Sequence, residues 1–187
     1  LLMLMSLLLT ALAVVREREL GTLDQLLVSP LTAGELMLGK TIPVAIIALI
    51  DLVLICAVAI LWFGIPLRGS VAALVLASFV YILASLGIGL FISTVSRTQQ
   101  EAFMSMFLLF LPAIVLSGFM YPIHTMPAFF QTLTWLNPVR HFLEIVRGIF
   151  LKGHGIADLW LQLGIITIMA ALVLIGATVR FRRSLGA

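Results

Sequence analysis

Charge is what this sequence has least of. Asp, Glu, Lys and Arg together make up 10% of 187 residues, against 63% hydrophobic, with a mean hydropathy of +1.25. A soluble domain carries about 25% charged residues, so that class is excluded. Cysteine is almost absent too. Cys56, the one present, sits inside an apolar run, which excludes a disulfide framework and a thiolate metal site. A basic leader is also missing. Ala11-Leu12-Ala13 imitates a signal-peptidase site, but no basic region precedes it and the stretch runs into Arg16-Glu17-Arg18-Glu19. That pattern reads as the tail end of a truncated membrane helix rather than a leader. No internal repeat or low-complexity tract is visible.

What remains is long apolar runs. Four of them, at about 42–63, 71–95, 102–121 and 156–179, have the roughly 20 residues needed to cross about 30 Å of hydrocarbon. Backbone polar groups find no water there, so runs of this length should be helices. The expected fold is an all-α membrane protein, a bundle of about five transmembrane helices with the first one truncated. If the spans alternate, Arg16, Arg18, Lys40, Arg97, Arg180, Arg182 and Arg183 fall on one side, and Arg68, Arg140, Arg147 and Lys152 on the other. The richer side is expected in the cytoplasm together with the C-terminus. Trp62, Tyr121, Trp135 and Trp160 map to the opposite, outer ends, as an interfacial belt would.

Two connectors are patterned. In residues 16–41, a charged start is followed by Leu20, Leu23, Leu26 and Leu27, a stripe on one helical face. Ser29-Pro30 stops that helix, because the residue before proline disfavours α geometry. Thr32-Ala33-Gly34-Glu35 fits a capping box opening a second short helix, and Gly39-Lys40 and Pro43 mark entry into the next span. The stripe suits either an interfacial helix under the headgroups or a docking element for a cytoplasmic partner. Its mixed charge favours a protein groove, since lipid-binding helices are more uniformly basic. Gly34 to Thr41 also matches the P-loop pattern G-x-x-x-x-G-K-[ST] letter for letter. Phosphate binding there requires a preceding strand and small residues that let backbone amides wrap the phosphate. A capping box and Leu36-Met37-Leu38 stand in their place, so nucleotide binding by this chain is not expected.

In residues 122–155, Asn137-Pro138 is a helix start: asparagine caps, and proline suits the first turn. Val139, Phe142, Leu143, Val146, Ile149 and Phe150 form an apolar stripe, with Arg140, Glu144 and Arg147 opposite and Lys152-Gly153 closing the helix. The connectors at 64–70 and 96–101 do little beyond turning the chain. Within the spans, Asp51 is an intramembrane carboxylate that should face protein or water, either in a substrate pathway or in a hydrogen bond to a neighbouring helix. Ser85, Gly89 and Ser93 form a small-residue stripe suited to close helix packing. Pro112 is expected to kink its span.

These residues resemble a known family. Arg16-Glu17-Arg18-Glu19, Gly21-Thr22, Asp24, Leu26-Leu27-Val28, Pro30-Leu31, Glu35, Gly39-Lys40 and Pro43 look like the cytoplasmic connector of ABC-2 type transporter permeases. Ser117 to Ile123, Met126-Pro127, Asn137-Pro138 and Ile145 to Gly153 resemble the C-terminal signature of the multidrug-exporter-like branch. Asp24 stands where that connector usually has glutamate. The likeness covers nearly the whole chain, which by that match begins inside the second of six spans and lacks the first span and an external domain.

The resemblance implies the permease subunit of an ATP-driven exporter in the bacterial inner membrane, dimerising with a second permease chain and bound to separate ATPase subunits. ATP and magnesium would sit on those subunits, with no cofactor, metal or nucleic acid bound by this chain. It implies that Gly21 to Pro30, including Thr22, Leu23, Asp24, Leu26 and Leu27, is the coupling element, flanked by Arg16 to Glu19 and by Glu35 and Lys40. It also implies that 122–155 forms an external re-entrant hairpin.

The alternatives are an ion-coupled carrier or channel, and a membrane enzyme. The first predicts a chain of intramembrane ionisable groups, and Asp51 stands alone. The second needs a nucleophile with a base, or clustered ligands. His124, His141 and His154 lie singly, and Ser117 lacks a Gly-x-Ser-x-Gly setting.

Overall fold

The computed structural model describes residues 1–21 and 33–185, and among these there are helices and turns but no strand. The α-helices are α1 (Leu2–Glu19), α2 (Ala33–Leu61), α3 (Val71–Val95), α4 (Gln99–Val115), α5 (Ala128–Leu133), α6 (Pro138–Arg147) and α7 (Trp160–Leu185). The described residues thus form an all-α bundle of five long helices, with the short α5 and α6 in the connector expected to form the hairpin. By length and composition Leu38–Leu61, Val71–Val95 and Trp160–Phe181 can each cross a membrane. The 17-residue α4 is a shorter apolar helix, about 25 Å long at 1.5 Å per residue.

Helix α3 is the hub. Its most extensive neighbour is α7, followed by α1, and both run parallel to it. Gly87 of α3 faces Val173 and Leu174 of α7, and Gly89 faces Leu7 and Thr10 of α1. Further along, Leu90 shares a buried cluster with Val14, Ala177 and Phe181. Helix α2 packs against α3 through Val44, Ala48, Ile82 and Leu86. The core works because α3 presents small residues on several faces: Ala73, Ala77, Ser78, Ala84, Ser85, Gly87, Gly89 and Ser93 are all buried. Without a hydrophobic force between lipid-bathed helices, such close backbone approach is what drives association. The expected Ser85, Gly89, Ser93 stripe is therefore a packing surface. Several hydroxyls within the bundle donate back to their own helix, as Ser6 to Leu2 O (2.6 Å), Ser93 to Leu90 O (2.6 Å) and Thr167 to Leu163 O (2.7 Å), which satisfies those donors in an apolar medium.

Three boundaries differ from the sequence expectations. The expected second short helix and the following span form one helix, with Pro43 inside it. A proline withholds its hydrogen bond from the carbonyl four residues back, here that of Gly39, where nothing lies within 4 Å of a Cβ position. Arg16 to Glu19 do not open a connector helix but form the last turn of α1. That helix ends at Gly21, whose φ of +72° follows the N–H of Leu20 bonding to Arg16 O, a left-handed stop that glycine adopts without strain. The apolar run expected to span 102–121 stops at Val115, three residues after Pro112. Leu116 and Ser117 then turn the chain into Gly118 at φ +79°.

Candidate functional site

Charged residues gather at two ends of the bundle. At the first, the last turn of α1 meets the start of α2 and the α3–α4 turn. Lys40 forms an ion pair with Glu17, and its ammonium donates to Ala13 O at 3.2 Å. The Arg18 guanidinium donates to Ser96 O at 3.1 Å. Gln99 donates its side-chain amide to Glu19 at 2.7 Å. Thr98 caps α4 by accepting from Glu101 N, while the Glu101 carboxylate accepts from Arg97 N at 2.7 Å, a reciprocal arrangement close to a capping box. Arg180 lies 5.6 Å from the centre of the Phe91 ring. Of the residues expected to flank a docking element, Glu17, Arg18, Glu19 and Lys40 make these contacts, and Arg16 is exposed in the last turn of α1. The sequence reading missed Ser96 and Gln99, because nothing local in the 96–101 turn reveals that α1 ends against it. Thr22, Leu23, Asp24, Leu26, Leu27 and Pro30, with the Thr32 capping box, lie outside the described residues. Glu35 is exposed in the first turns of α2. The P-loop-like segment Gly34 to Thr41 is wholly helical, not a loop whose amides wrap a phosphate.

At the opposite end lies the hairpin. Asn137 caps α6 as expected, accepting from Val139 N at 3.1 Å, with Pro138 in the first turn. Its amide nitrogen also donates to Ala113 O at 2.6 Å. That carbonyl is left over at the end of α4, where Ser117 N bonds to Ile114 O instead. One side chain therefore starts one helix and caps the end of another. Arg140 pairs with Glu144 at 3.2 Å, lies 4.5 Å over the Trp135 ring and donates to the Thr134 hydroxyl. Arg147 donates to Gly118 O at 3.2 Å and has no carboxylate partner among the described residues. The helix continues through a π-helical turn, Gly148–Lys152, and stops at Gly153 with φ +72°.

The buried face of α6 is not quite the expected stripe. Pro138, His141 and Ile145 are buried, followed by Gly148, Ile149 and Phe150, whereas Val139, Phe142, Leu143 and Val146 are half-buried. His141, whose Nε2 lies 2.9 Å from Trp135 O, was overlooked because a hydrophobicity pattern scores it as polar. The half-buried residues are nonetheless in use. Phe142 stacks flat on Tyr81, with ring centres 4.1 Å apart, at a point about 15 Å along α3 from its first residue. The 64–70 connector does more than turn the chain. Gly69 donates to Ile149 O at 2.9 Å, and a Cβ there would meet the His154 and Ile149 carbonyls at 2.7 and 2.8 Å. Trp62, Tyr121, Trp135 and Trp160 are all exposed around this end.

Between the ends, Asp51 is half-buried on α2 beside Leu52, which packs in the core. Its Oδ2 is buried and has no hydrogen-bond partner among the described residues. Two adjoining chambers, one of about 310 Å³ and one of about 400 Å³, are both lined by Leu2, Ile55 and Phe142, and Asp51 is in neither lining. Among the described residues, no three His, Cys, Asp or Glu side chains come together as metal ligands would.

Comparison with known proteins gives a consistent result. The sequence profile of the ABC-2 type transporter family matches residues 1–151. The chain is 42% identical over 174 residues to the probable multidrug ABC transporter permease YbhR of Escherichia coli K12, covering 93% of this chain and 47% of that protein. It is 36% identical over 174 residues to the probable multidrug ABC transporter permease YbhS, with 92% and 44% covered. Against the inner membrane transport permease YhhJ it is 30% identical over 186 residues, with 97% and 49% covered; both are also from E. coli K12. The chain spans about half the length of the curated relatives it matches. No solved structure matches it.

Proposed function

The chain belongs to the ABC-2 type transporter family, and from that premise we propose that it is the membrane-embedded part of a permease subunit in an ATP-driven exporter. It pairs with a second permease chain and with separate ABC ATPase subunits that hold the ATP and magnesium. This chain is non-catalytic and converts movement of the ATPase into helix rearrangement. The proposed location is a bacterial inner membrane, with the C-terminus in the cytoplasm.

The observation that carries this reading is the convergence of Glu17 to Glu19, Lys40 and the α3–α4 turn. The segment proposed to grip the ATPase, Gly21 to Pro30, is joined directly to α1 on one side and to α2 on the other. The end of α1 from which that segment leaves is tied to α3 and α4 through Arg18–Ser96 and Gln99–Glu19. A push on that segment therefore reaches four helices at once. Replacing Leu23, Leu26 and Leu27 together by Gln is expected to lose most of the co-purifying ATPase while the permease still inserts. Unchanged ATPase recovery from membranes containing the triple variant would sink the docking assignment.

The hairpin is proposed to be re-entrant rather than flat on the surface, supported by Phe142 reaching Tyr81 well inside α3. Asp51 is proposed to face the transport pathway, supported by its buried Oδ2, which has no hydrogen-bond partner among the described residues, as an intramembrane carboxylate beside water or cargo would. Asp51→Asn in the complete transporter is expected to lower export about tenfold, a loss of roughly 1.4 kcal/mol, with membrane levels unchanged. Export of every tested substrate at the unmutated rate would remove Asp51 from the pathway.

A further inference from the structure

We propose that the groove between the ends of α3 and α7, on the face taken as cytoplasmic, binds an anionic phospholipid whose phosphate is held by the Arg180 guanidinium. This rests on the orientation proposed above only for which leaflet supplies the lipid. The 22-residue span Trp160–Phe181 is about 33 Å long, close to the roughly 30 Å of the hydrocarbon. With Trp160 exposed at one interface, Arg180 falls at the other, where phosphates lie. Phe181 is buried with Val14, Leu90 and Ala177, which fixes the rotation of this end of α7 and leaves Arg180 exposed.

An arginine at the end of a span ordinarily extends toward water. Arg180 instead lies 5.6 Å from the centre of the Phe91 ring. Phe91 follows Leu90, which packs with Ala177, so the cation is held back toward the hydrocarbon by about 5 Å. Phe91 is itself 42% exposed, so the pair opens on the surface of the bundle. The ring fixes the guanidinium through its face but accepts none of its in-plane N–H groups. Among the described residues no carboxylate pairs with Arg180. At this end Glu17 is taken by Lys40, Glu19 by Gln99 and Glu101 by Arg97 N. A cation kept at the hydrocarbon edge without a protein anion takes one from a lipid phosphate. One turn deeper on the same face, Gly176 has nothing within 4 Å of its Cβ position, which leaves a slot for an acyl chain beside the ring. Arg182 and Arg183 follow in sequence and raise the positive potential that favours an anionic over a zwitterionic head. Ser96, which accepts from Arg18, is just over a turn further along α3, so the lipid braces the end of α3 to which α1 is tied.

The test places the complete transporter in phosphatidylcholine nanodiscs with a trace of diazirine-bearing phosphatidylglycerol or diazirine-bearing phosphatidylcholine. Crosslinks around Phe91 and Gly176 are read by mass spectrometry. The phosphatidylglycerol probe is expected to mark these positions about fivefold more than the phosphatidylcholine probe, the effect of about one charge contact. Arg180→Gln should erase that preference and Arg180→Lys should keep part of it, while Arg182→Gln with Arg183→Gln should leave most of it. Equal marking by the two probes, or a preference that survives Arg180→Gln, overturns the proposal. So does a preference lost with Arg182 and Arg183 while Arg180 is intact, which would be diffuse attraction to a basic tail. Loss of the preference in inorganic phosphate but not in chloride of equal ionic strength identifies a soluble-anion site and overturns the assignment to lipid. If Arg180→Gln does not fold, the probe comparison, the Arg182 and Arg183 variant and the phosphate competition decide alone. Crosslinking needs no ATPase, so its failure is separate from a failure of ATPase co-purification.

Discussion

Gly89→Leu is expected to abolish the native packing of α1 on α3, seen as loss of the monodisperse species in detergent or a large fall in Tm by scanning fluorimetry. A Cβ at Gly89 would sit 2.8 Å from Thr10 Cβ and 3.2 Å from Leu7 O. The obstacle is the Cβ and backbone of a neighbouring helix, not the tip of a flexible side chain, so relief requires moving α1 itself. Overpacking of this kind costs about 1–3 kcal/mol and more where the backbone cannot yield. A graded series checks the cause. Gly87→Leu meets Val173 and Leu174 side-chain atoms at 3.1–3.2 Å, which can rotate, and should cost less. Gly176 has nothing within 4 Å of its Cβ position, so Gly176→Leu should be neutral or stabilising, since glycine costs about 1 kcal/mol in a helix interior relative to alanine. If all three variants behave alike, close approach at Gly89 is not what holds α1.

The second large effect is expected at Asn137. Asn137→Ala removes the cap on α6, worth about 1 kcal/mol, and strips the half-buried Ala113 O of its donor at 2.6 Å, a loss toward the low end of the about 1–3 kcal/mol that an unsatisfied buried carbonyl costs. The two losses together should release the hairpin, detectable as a lower Tm and faster proteolysis between Tyr121 and Asn137. Asn137→Asp separates them, because a carboxylate still accepts from Val139 N but offers Ala113 O no donor. It should therefore fall between alanine and the native residue. An Asn137→Asp protein as stable as the unmutated one would mean that the Ala113 contact contributes nothing.

Local signals found much of this architecture. Helix α3 occupies the residues its apolar run predicted, because Ser70 and the Ser96–Thr98 turn punctuate it at both ends. Asn137-Pro138 and Gly153 mark the ends of the hairpin helix as their cap chemistry required. Other boundaries were misjudged where local signals conflict with context. Pro43 reads as a break, yet α2 runs through it. The run from 102 to 121 is apolar throughout, yet its helix ends soon after Pro112, where Asn137, 24 residues ahead in sequence, supplies the bond that lets it stop. On α6, an apolar count alone could not rank His141 and Ile145 above Val139 and Phe142, because which face is buried depends on where α3 and α7 lie.

Apolar run length and charge distribution were enough, without coordinates, to make this an all-α membrane chain, and the likeness of its two connector motifs to known permeases pointed to the ABC-2 family. Run length and charge placement are set by the cost of leaving backbone and charge unsolvated in hydrocarbon, and that cost is written residue by residue. Only the tertiary structure could decide which helices touch, that Arg18 ends on Ser96, that Asn137 closes α4, and that Arg180 lies over Phe91. Each of those joins residues far apart in the chain, and their meeting follows from how closely small side chains on α3 let its neighbours approach.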